Sequence, residues 1–209
     1  MARAASGIPD RTTAGSASLN RPRSALLQLL LAIALLAAGP APAGEDLWNR
    51  LHAGGYVLLI RHAATDPGVG DPPGFKLGDC ATQRNLNAAG RAQARQLGGT
   101  LKKRGIPVAA TRSSRWCRCL ETAQLAFGKA QPWPLLDNTF ETPERREPQM
   151  RQIRAALAQP VTGGNLVLVT HGVNILALTG ISPAESEIVI VRPAGNGMLQ
   201  LIGRLTSDS

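Results

Sequence analysis

The chain has 209 residues, of which 44% are hydrophobic and 3% aromatic, and its formal net charge is +9. This length allows one domain with a proper core, and the basic charge suits anionic partners such as phosphorylated small molecules. Nucleic acid is not an expected partner, because the chain has few aromatic side chains for base stacking and its longest downstream basic run, Lys102–Arg104, lies at a predicted helix end.

The first 43 residues are predicted to be a secretory signal peptide and not part of the fold. Four arginines precede an apolar run at residues 25–38, which is too short to span a bilayer comfortably. Ala41-Pro42-Ala43 then supplies the small-residue pattern of a cleavage site. An uncleaved membrane anchor is the alternative. Cleavage after Ala43 would leave residues 44–209 as a single periplasmic or secreted domain without stable membrane insertion.

Helical and strand patterns alternate along the rest of the chain. Helices are predicted over residues 45–53, 87–104, 144–158 and 173–178, with a further helix capped by Ser113 or Ser114 and ending near Ala126. Strands are predicted over residues 56–60, 108–111, 133–136, 166–170, 188–191 and 198–202, the last two forming a hairpin at the sheet edge. This alternation predicts an α/β fold, a three-layer α/β/α sandwich with a mostly parallel central sheet.

Two of the three histidines stand at the ends of strongly apolar runs. His62 follows the strand at 56–60 through Arg61, and His171 follows the strand at 166–170. Ligands of open α/β sheets bind just beyond the carboxyl ends of the strands. Two imidazoles and an arginine are therefore expected to meet in one place, as in an active site for an anionic substrate.

Four segments in this order resemble the motifs of the histidine phosphatase superfamily, the phosphoglycerate-mutase-like proteins. They are the Arg-His-Ala-Ala-Thr segment at 61–65, the Leu-Asn-Ala-Ala-Gly-Arg-Ala-Gln-Ala segment at 86–94, the Ser-Ser-x-x-x-Arg-x-x-x-Thr-Ala segment at 113–123 and the Val-Thr-His-Gly segment at 169–172. The match spans residues 56–180, which is most of the predicted domain.

The resemblance implies a role for each matching residue. His62 would be the phosphorylated nucleophile, and Arg61, Arg118 and His171 would bind the phosphoryl group. Thr65 and Arg84 are further candidates for binding phosphate. The superfamily needs no metal or other cofactor, because its basic cluster supplies the positive charge.

The sequence departs from the family pattern at the general acid, since the usual Gly-x-x-Glu-Gly stretch is absent. Glu141 is the preferred candidate because it lies closest to the expected place. Asp137, Glu144 and Asp66 are the alternatives. The acid needs a raised pKa and a position within reach of the leaving oxygen, and a sequence shows neither.

The sequence thus predicts an exported phosphatase that acts on a small-molecule or envelope phosphoester, such as a phosphorylated envelope sugar. Two other readings stay open. One is a member of the fold that binds phosphate or another anion without turnover, and the other is a regulator that dephosphorylates phosphohistidine proteins. In an exported chain Cys80 could form a disulfide with Cys117 or with Cys119. A metal site is not predicted, because the cysteine spacing is a poor zinc pattern.

Overall fold

The computed structural model describes residues 43–68, 70–195 and 197–207. The predicted signal peptide lies outside these residues except for Ala43, which begins the first helix. The helices are α1 (Ala43–His52), α2 (Ala88–Lys103), α3 (Cys117–Phe127), α4 (Pro143–Ala156) and α5 (Gly172–Thr179). The strands are β1 (Val57–Arg61), β2 (Val108–Ser113), β3 (Gln131–Pro132), β4 (Asn165–Thr170), β5 (Ile188–Pro193) and β6 (Leu199–Leu205). No helix in this part of the chain is long and apolar enough to cross a membrane.

The six strands form one sheet in the order β3-β2-β4-β1-β5-β6. The strands β3, β2, β4 and β1 run parallel to one another. The β5–β6 hairpin adds two antiparallel strands at the edge next to β1. The predicted mostly parallel sheet and its terminal hairpin are therefore confirmed. In the register of β1 with β4, Arg61 lies opposite Thr170, so the two strands end side by side.

Helices cover both faces of the sheet, as the three-layer prediction requires. In β1, Leu58 and Ile60 belong to a core that includes side chains of α1, α2 and α3. Val57 and Leu59 belong to a second core with side chains of α4 and α5. Successive strand residues point to opposite faces, so the four buried residues 57–60 of β1 serve both cores and hold the middle of the sheet in place.

Two predicted elements differ from the structure. Residues 133–136 were expected to be a strand, but the short strand β3 ends at Pro132 and Pro134–Leu136 form a 3-10 helix. Proline has no backbone N–H and a fixed φ, so Pro134 favours a helical turn over a continued ladder. The serines also fail to cap α3, which begins at Cys117. The backbone N–H of Ser114 donates to Val169 at 2.9 Å, which keeps that residue at the end of the sheet.

A disulfide joins Cys80 to Cys117, which decides between the two pairings that the sequence left open. It ties the long loop after β1 to the first residue of α3. Cys119 stays free and buried, and burial raises the pKa of its thiol to about 12. Cys119 is therefore a neutral packing group near neutral pH.

Candidate active site

The paired ends of β1 and β4 bring the two strand-end histidines together. The backbone N–H of His62 donates to Thr170 at 3.0 Å, which extends the strand pairing by one residue. The imidazole rings of His62 and His171 have centroids 5.5 Å apart and planes inclined by 68°. Both side chains are almost fully buried. The expected meeting of the two imidazoles is thus a direct consequence of the parallel register.

The backbone that follows His62 is fixed by two side chains from neighbouring helices. The N–H of Ala63 donates to the hydroxyl of Thr122 at 3.1 Å, and the N–H of Ala64 donates to the amide oxygen of Gln93 at 3.0 Å. Helix α2 approaches this loop so closely that a Cβ on Gly90 would lie 2.0 Å from the carbonyl oxygen of Ala64. Thr122, Gln93 and Gly90 all lie in the motif segments at 86–94 and 113–123, and their part here is to hold the loop that follows His62.

The hydrogen bonds of His62 define its tautomer. Its Nδ1 lies 2.9 Å from the carbonyl oxygen of Ala63. A carbonyl oxygen can only accept, so Nδ1 carries the proton and Nε2 keeps its lone pair. The side chain thus has the form that a nitrogen nucleophile requires.

His171 is held from the other side by the residues that follow β2. Its Nε2 lies 2.9 Å from the hydroxyl of Ser114, and the Trp116 ring packs edge-on against it with centroids 5.4 Å apart. The Ser114 hydroxyl also lies 3.4 Å from a carboxylate oxygen of Asp137, which in turn binds the guanidinium of Arg115. Ser114 was predicted to cap a helix, and its contact with His171 could not be found from spacing alone.

Three arginines line the same cavity as the two histidines. The cavity has a volume of about 280 Å³ and includes side chains of Arg61, Arg84 and Arg118 in its wall. Phe140 and Leu176, both about half exposed, form apolar parts of the wall. The candidate phosphate ligands Arg61, Arg84 and Arg118 are therefore brought together with His62 and His171.

Each arginine is anchored to protein groups through its guanidinium. Arg61 donates to the carbonyl of Pro183 at 3.0 Å, and Arg84 donates to the carbonyl of Gly68 at 2.8 Å. Arg118 donates to a carboxylate oxygen of Asp71 at 2.8 Å. The Nε atoms of Arg84 and Arg118 are buried and have no hydrogen-bond partner among the described residues. Two charged donors of cavity-lining side chains thus lack acceptors in this part of the chain, which is costly unless a ligand supplies them.

Asp71 is a buried carboxylate that the sequence did not single out. Its side chain is 1% exposed. It accepts hydrogen bonds from Arg118, from the backbone N–H of Arg84 and from the indole N–H of Trp116. Burial raises the pKa of Asp71, but these donors outweigh burial and hold the pKa below its ordinary value. Asp71 is therefore an ionised group near neutral pH.

The imidazoles are neutral because of their surroundings. Burial is the main cause that lowers the pKa of His62 from 6.5 to about 3; the charges of Arg118, Arg61 and Arg84 act in the same direction, and the bond to Ala63 opposes them. Burial likewise moves the pKa of His171 well below its ordinary value. The site thus combines permanent positive charge on arginine with uncharged imidazole nitrogens.

The four carboxylates considered as the general acid are placed very differently. None of them lines the 280 Å³ cavity. Glu141, Asp137 and Glu144 line a neighbouring cavity of about 580 Å³, and the two cavities share Asn138. Asp66 is exposed and lines neither cavity.

The remaining predicted phosphate ligand is not in the cavity wall. Thr65 is 8% exposed and forms an isolated bridge with Leu86 in the loop after β1. It does not line the 280 Å³ cavity, whereas Asn138 and Ser182 do, although no motif pointed to them. No group of three or more His, Cys, Asp or Glu side chains among residues 43–68, 70–195 and 197–207 is arranged to hold a metal ion.

Solved structures with this fold come from several organisms. The product of the open reading frame Rv3214 of Mycobacterium tuberculosis is 19% identical, with a TM-score of 0.52 over 73% of this chain and 98% of that one. A candidate phosphohistidine phosphatase, SixA, from Agrobacterium tumefaciens is 21% identical, with a TM-score of 0.51 over 73% and 98%. A mutant phosphoserine phosphatase from Entamoeba histolytica, solved with phosphoserine, is 17% identical, with a TM-score of 0.51 over 73% and 97%. At these identities the likeness concerns the fold.

No curated protein matches this sequence. The family model described as histidine phosphatase superfamily, branch 1, matches residues 57–141, which carry His62, Arg84 and Arg118. The model's segment therefore includes the first strand-end histidine, the loop after it and the helix that supplies the buried arginine. The fold, the four ordered motifs and this match agree, and over residues 57–141 the chain is similar to the histidine phosphatase superfamily.

Proposed function

We propose that this protein is a phosphatase that hydrolyses a phosphomonoester through a phosphohistidine intermediate on His62. The observation that carries the proposal is the convergence of three arginine side chains and two neutral imidazoles on one cavity, where the Nε donors of Arg84 and Arg118 have no partner among the described residues. Planar guanidinium groups match the oxygens of a phosphoryl group. A bound phosphate would give these donors the acceptors that the protein does not provide.

The first step is attack by Nε2 of His62 on phosphorus. The Nε2–P bond forms while the bond from phosphorus to the leaving oxygen breaks, and the leaving group departs with the electron pair of that bond. Arg61, Arg84 and Arg118 offset the negative charge that spreads over the phosphoryl oxygens. His171 would bind the same oxygens as a neutral donor, which requires its proton on the nitrogen that faces them.

The second step is hydrolysis of the phosphohistidine. Water attacks phosphorus, the Nε2–P bond breaks, and inorganic phosphate leaves while His62 regains its lone pair. A carboxylate that gave its proton to the leaving oxygen in the first step can accept the proton of this water. The same group thus acts first as acid and then as base.

Among the four candidate carboxylates, Glu141 is best placed for this proton transfer. One of its carboxylate oxygens lies 3.1 Å from the position a Cβ would take on Gly70, and Gly70 lines the 280 Å³ cavity. Asp137 is engaged by Arg115, and Asp66 lies at neither cavity. Of the two cavities, Glu144 lines only the larger one. We therefore retain Glu141 as the proposed acid.

The larger cavity would take the leaving group. Phe75 and Trp116 give it aromatic walls, and Glu141, Glu144 and Arg145 give it charged ones. This mixture suits a group with both carbon–hydrogen faces and hydroxyls, such as the sugar of an envelope phosphoester. The Cys80–Cys117 disulfide supports the periplasmic or secreted location, because disulfides persist in oxidising compartments.

The proposal is tested by hydrolysis of an aryl phosphate and of a panel of phosphorylated sugars. His62→Ala is expected to abolish turnover, and Arg118→Ala to reduce kcat/KM by about 10²–10³-fold, in line with other lost transition-state donors. His52→Ala is the matched control, since this histidine is exposed on α1 and does not line the cavity. Full activity in the His62→Ala variant would overturn the proposal.

A second candidate is an anion-binding protein without turnover. It is favoured by one observation, namely that no carboxylate of the described residues lines the 280 Å³ cavity. The aryl phosphate distinguishes the two functions, because its phenolate leaves with little help from an acid. Phosphate binding without hydrolysis of this ester would select the binding protein, and hydrolysis that depends on His62 would exclude it.

A further inference from the structure

Asp71 joins the loop after β1 to three separate parts of the cavity wall. One of its carboxylate oxygens accepts from Arg118 at 2.8 Å and from the backbone N–H of Arg84 at 3.0 Å. The other accepts from the indole N–H of Trp116 at 2.9 Å. The Trp116 ring packs against His171. The Asp71 side chain thus contacts the guanidinium of Arg118, the backbone of Arg84 and the Trp116 ring that packs against His171.

The local sequence holds this carboxylate in place. Gly70 has a positive φ of 72°, a conformation that favours glycine, and the next residue after Asp71 is Pro72. A residue before proline is restricted to extended backbone, and proline itself fixes φ. The loop therefore presents Asp71 with little backbone freedom, which suits a residue whose purpose is to fix others.

The bonds to Arg118 leave a defined part of its guanidinium for a ligand. One terminal nitrogen donates both to Asp71 and, at 3.3 Å, to the carbonyl of Arg84. The Nε of Arg118 has no hydrogen-bond partner within residues 43–68, 70–195 and 197–207, although the side chain is 2% exposed. A guanidinium is planar and rigid, so fixing one terminal nitrogen also fixes the direction in which Nε–H points.

We propose that Asp71 is a positioning residue that orients the guanidinium of Arg118 towards the phosphoryl group. This inference rests on the proposed phosphate site and does not make Asp71 a contact of the substrate, because Asp71 does not line the cavity. All three of its neighbours are donors, so a carboxylate satisfies them and an asparagine amide does not. The amide nitrogen of an asparagine would meet one donor and find no acceptor.

A double-mutant cycle on inorganic phosphate binding tests this role in the full chain. Calorimetric titration is carried out with the unchanged protein, Asp71→Asn, Arg118→Ala and the double variant. Asp71→Asn is expected to weaken phosphate binding by about tenfold, because a misdirected guanidinium loses much of a charged hydrogen bond. In the Arg118→Ala background the same change is expected to have an effect below about twofold, because no guanidinium remains to be oriented.

Two results would overturn the inference. An equal loss in both backgrounds would mean that Asp71 acts on the fold and not through Arg118. Tighter phosphate binding in Asp71→Asn would mean that the carboxylate competes with the ligand for Arg118. The Glu45→Gln variant is the control, because it removes a two-bond ion pair with Arg104 that does not line the cavity, and its phosphate affinity is expected to be unchanged.

Thermal unfolding of each variant shows whether it is folded at the assay temperature. If Asp71→Asn is not, Trp116→Phe removes one of the three donors and keeps the carboxylate. This variant is then expected to weaken phosphate binding by about twofold to fivefold, with the loss again absent without Arg118. Phosphate binding needs no turnover, so the inference about Asp71 can fail while His62-dependent hydrolysis holds, and the reverse is also possible.

Discussion

The low pKa of His62 gives a prediction that can be measured directly. Its pKa is lowered from 6.5 to about 3, and burial is the largest of the causes. At pH 5 about 99% of such a side chain is neutral, against about 3% for an imidazole with the ordinary pKa. The population of the nucleophilic form at pH 5 is therefore about thirty times larger than it would be for an exposed histidine.

The measurement is a histidine titration by NMR between pH 3.5 and 8, with the His62 signal assigned from its absence in His62→Gln. The His62 signal is expected to stay that of the neutral ring, protonated on Nδ1, down to pH 5. Arg61→Ala removes one nearby positive charge, but the midpoint of the His62 titration should stay well below pH 6.5, because burial is the largest cause of the low pKa. A midpoint near pH 6.5 in the unchanged protein would refute the reasoning.

Three further predictions concern stability. Between pH 6.5 and 3, His62 binds fewer protons in the native protein than in the unfolded chain, so the free energy of unfolding should fall as the pH drops through this range. In chemical unfolding between pH 7 and 4, the His62→Gln variant should lose roughly 3 kcal/mol less of this free energy than the unchanged protein. Replacing Cys80 and Cys117 with serine should lower the free energy of unfolding by about 4 kcal/mol, since the disulfide closes a loop with a separation of 37 residues; no change in the denaturation midpoint would contradict this. Gly98→Ala should destabilise by about 1–3 kcal/mol, because its Cβ would lie 2.1 Å from a carbonyl oxygen of α3. A Cβ on Gly99 would meet open space, so Gly99→Ala should stabilise the protein by roughly 0.5–1 kcal/mol. Equal shifts in Tm for the two alanine variants would argue against this packing.

The parts of the site that could be predicted lie where secondary structure fixes direction. His62 and His171 follow apolar strands, and the carboxyl ends of parallel neighbours meet at one edge of the sheet. Hydrophobic patterns were therefore enough to predict that the two histidines and Arg61 converge. Arg118, the second residue of α3, was assigned from the family resemblance.

The parts that could not be predicted lie in segments without periodicity. Asp71 sits in a glycine- and proline-rich loop, and its partners come from elements that are 13 to 47 residues away in the chain. Ser114 looked like a helix cap because serine before a helix usually is one, yet its backbone is bound to β4. Thr65 was proposed from the family resemblance and Glu141 from its position in the chain. These two kinds of evidence do not determine which cavity the side chain of a loop residue reaches.

In the proposed reaction phosphorus becomes bonded to His62 during turnover. The most direct measurement is to stop the reaction with an aryl phosphate under alkaline conditions, which preserve phosphohistidine, and to locate the phosphoryl group by mass spectrometry of the peptides. One phosphoryl group is expected on His62, and none is expected in the His62→Ala variant. Turnover with the phosphoryl group on another residue, or with no phosphorylated peptide at any time point, would contradict it.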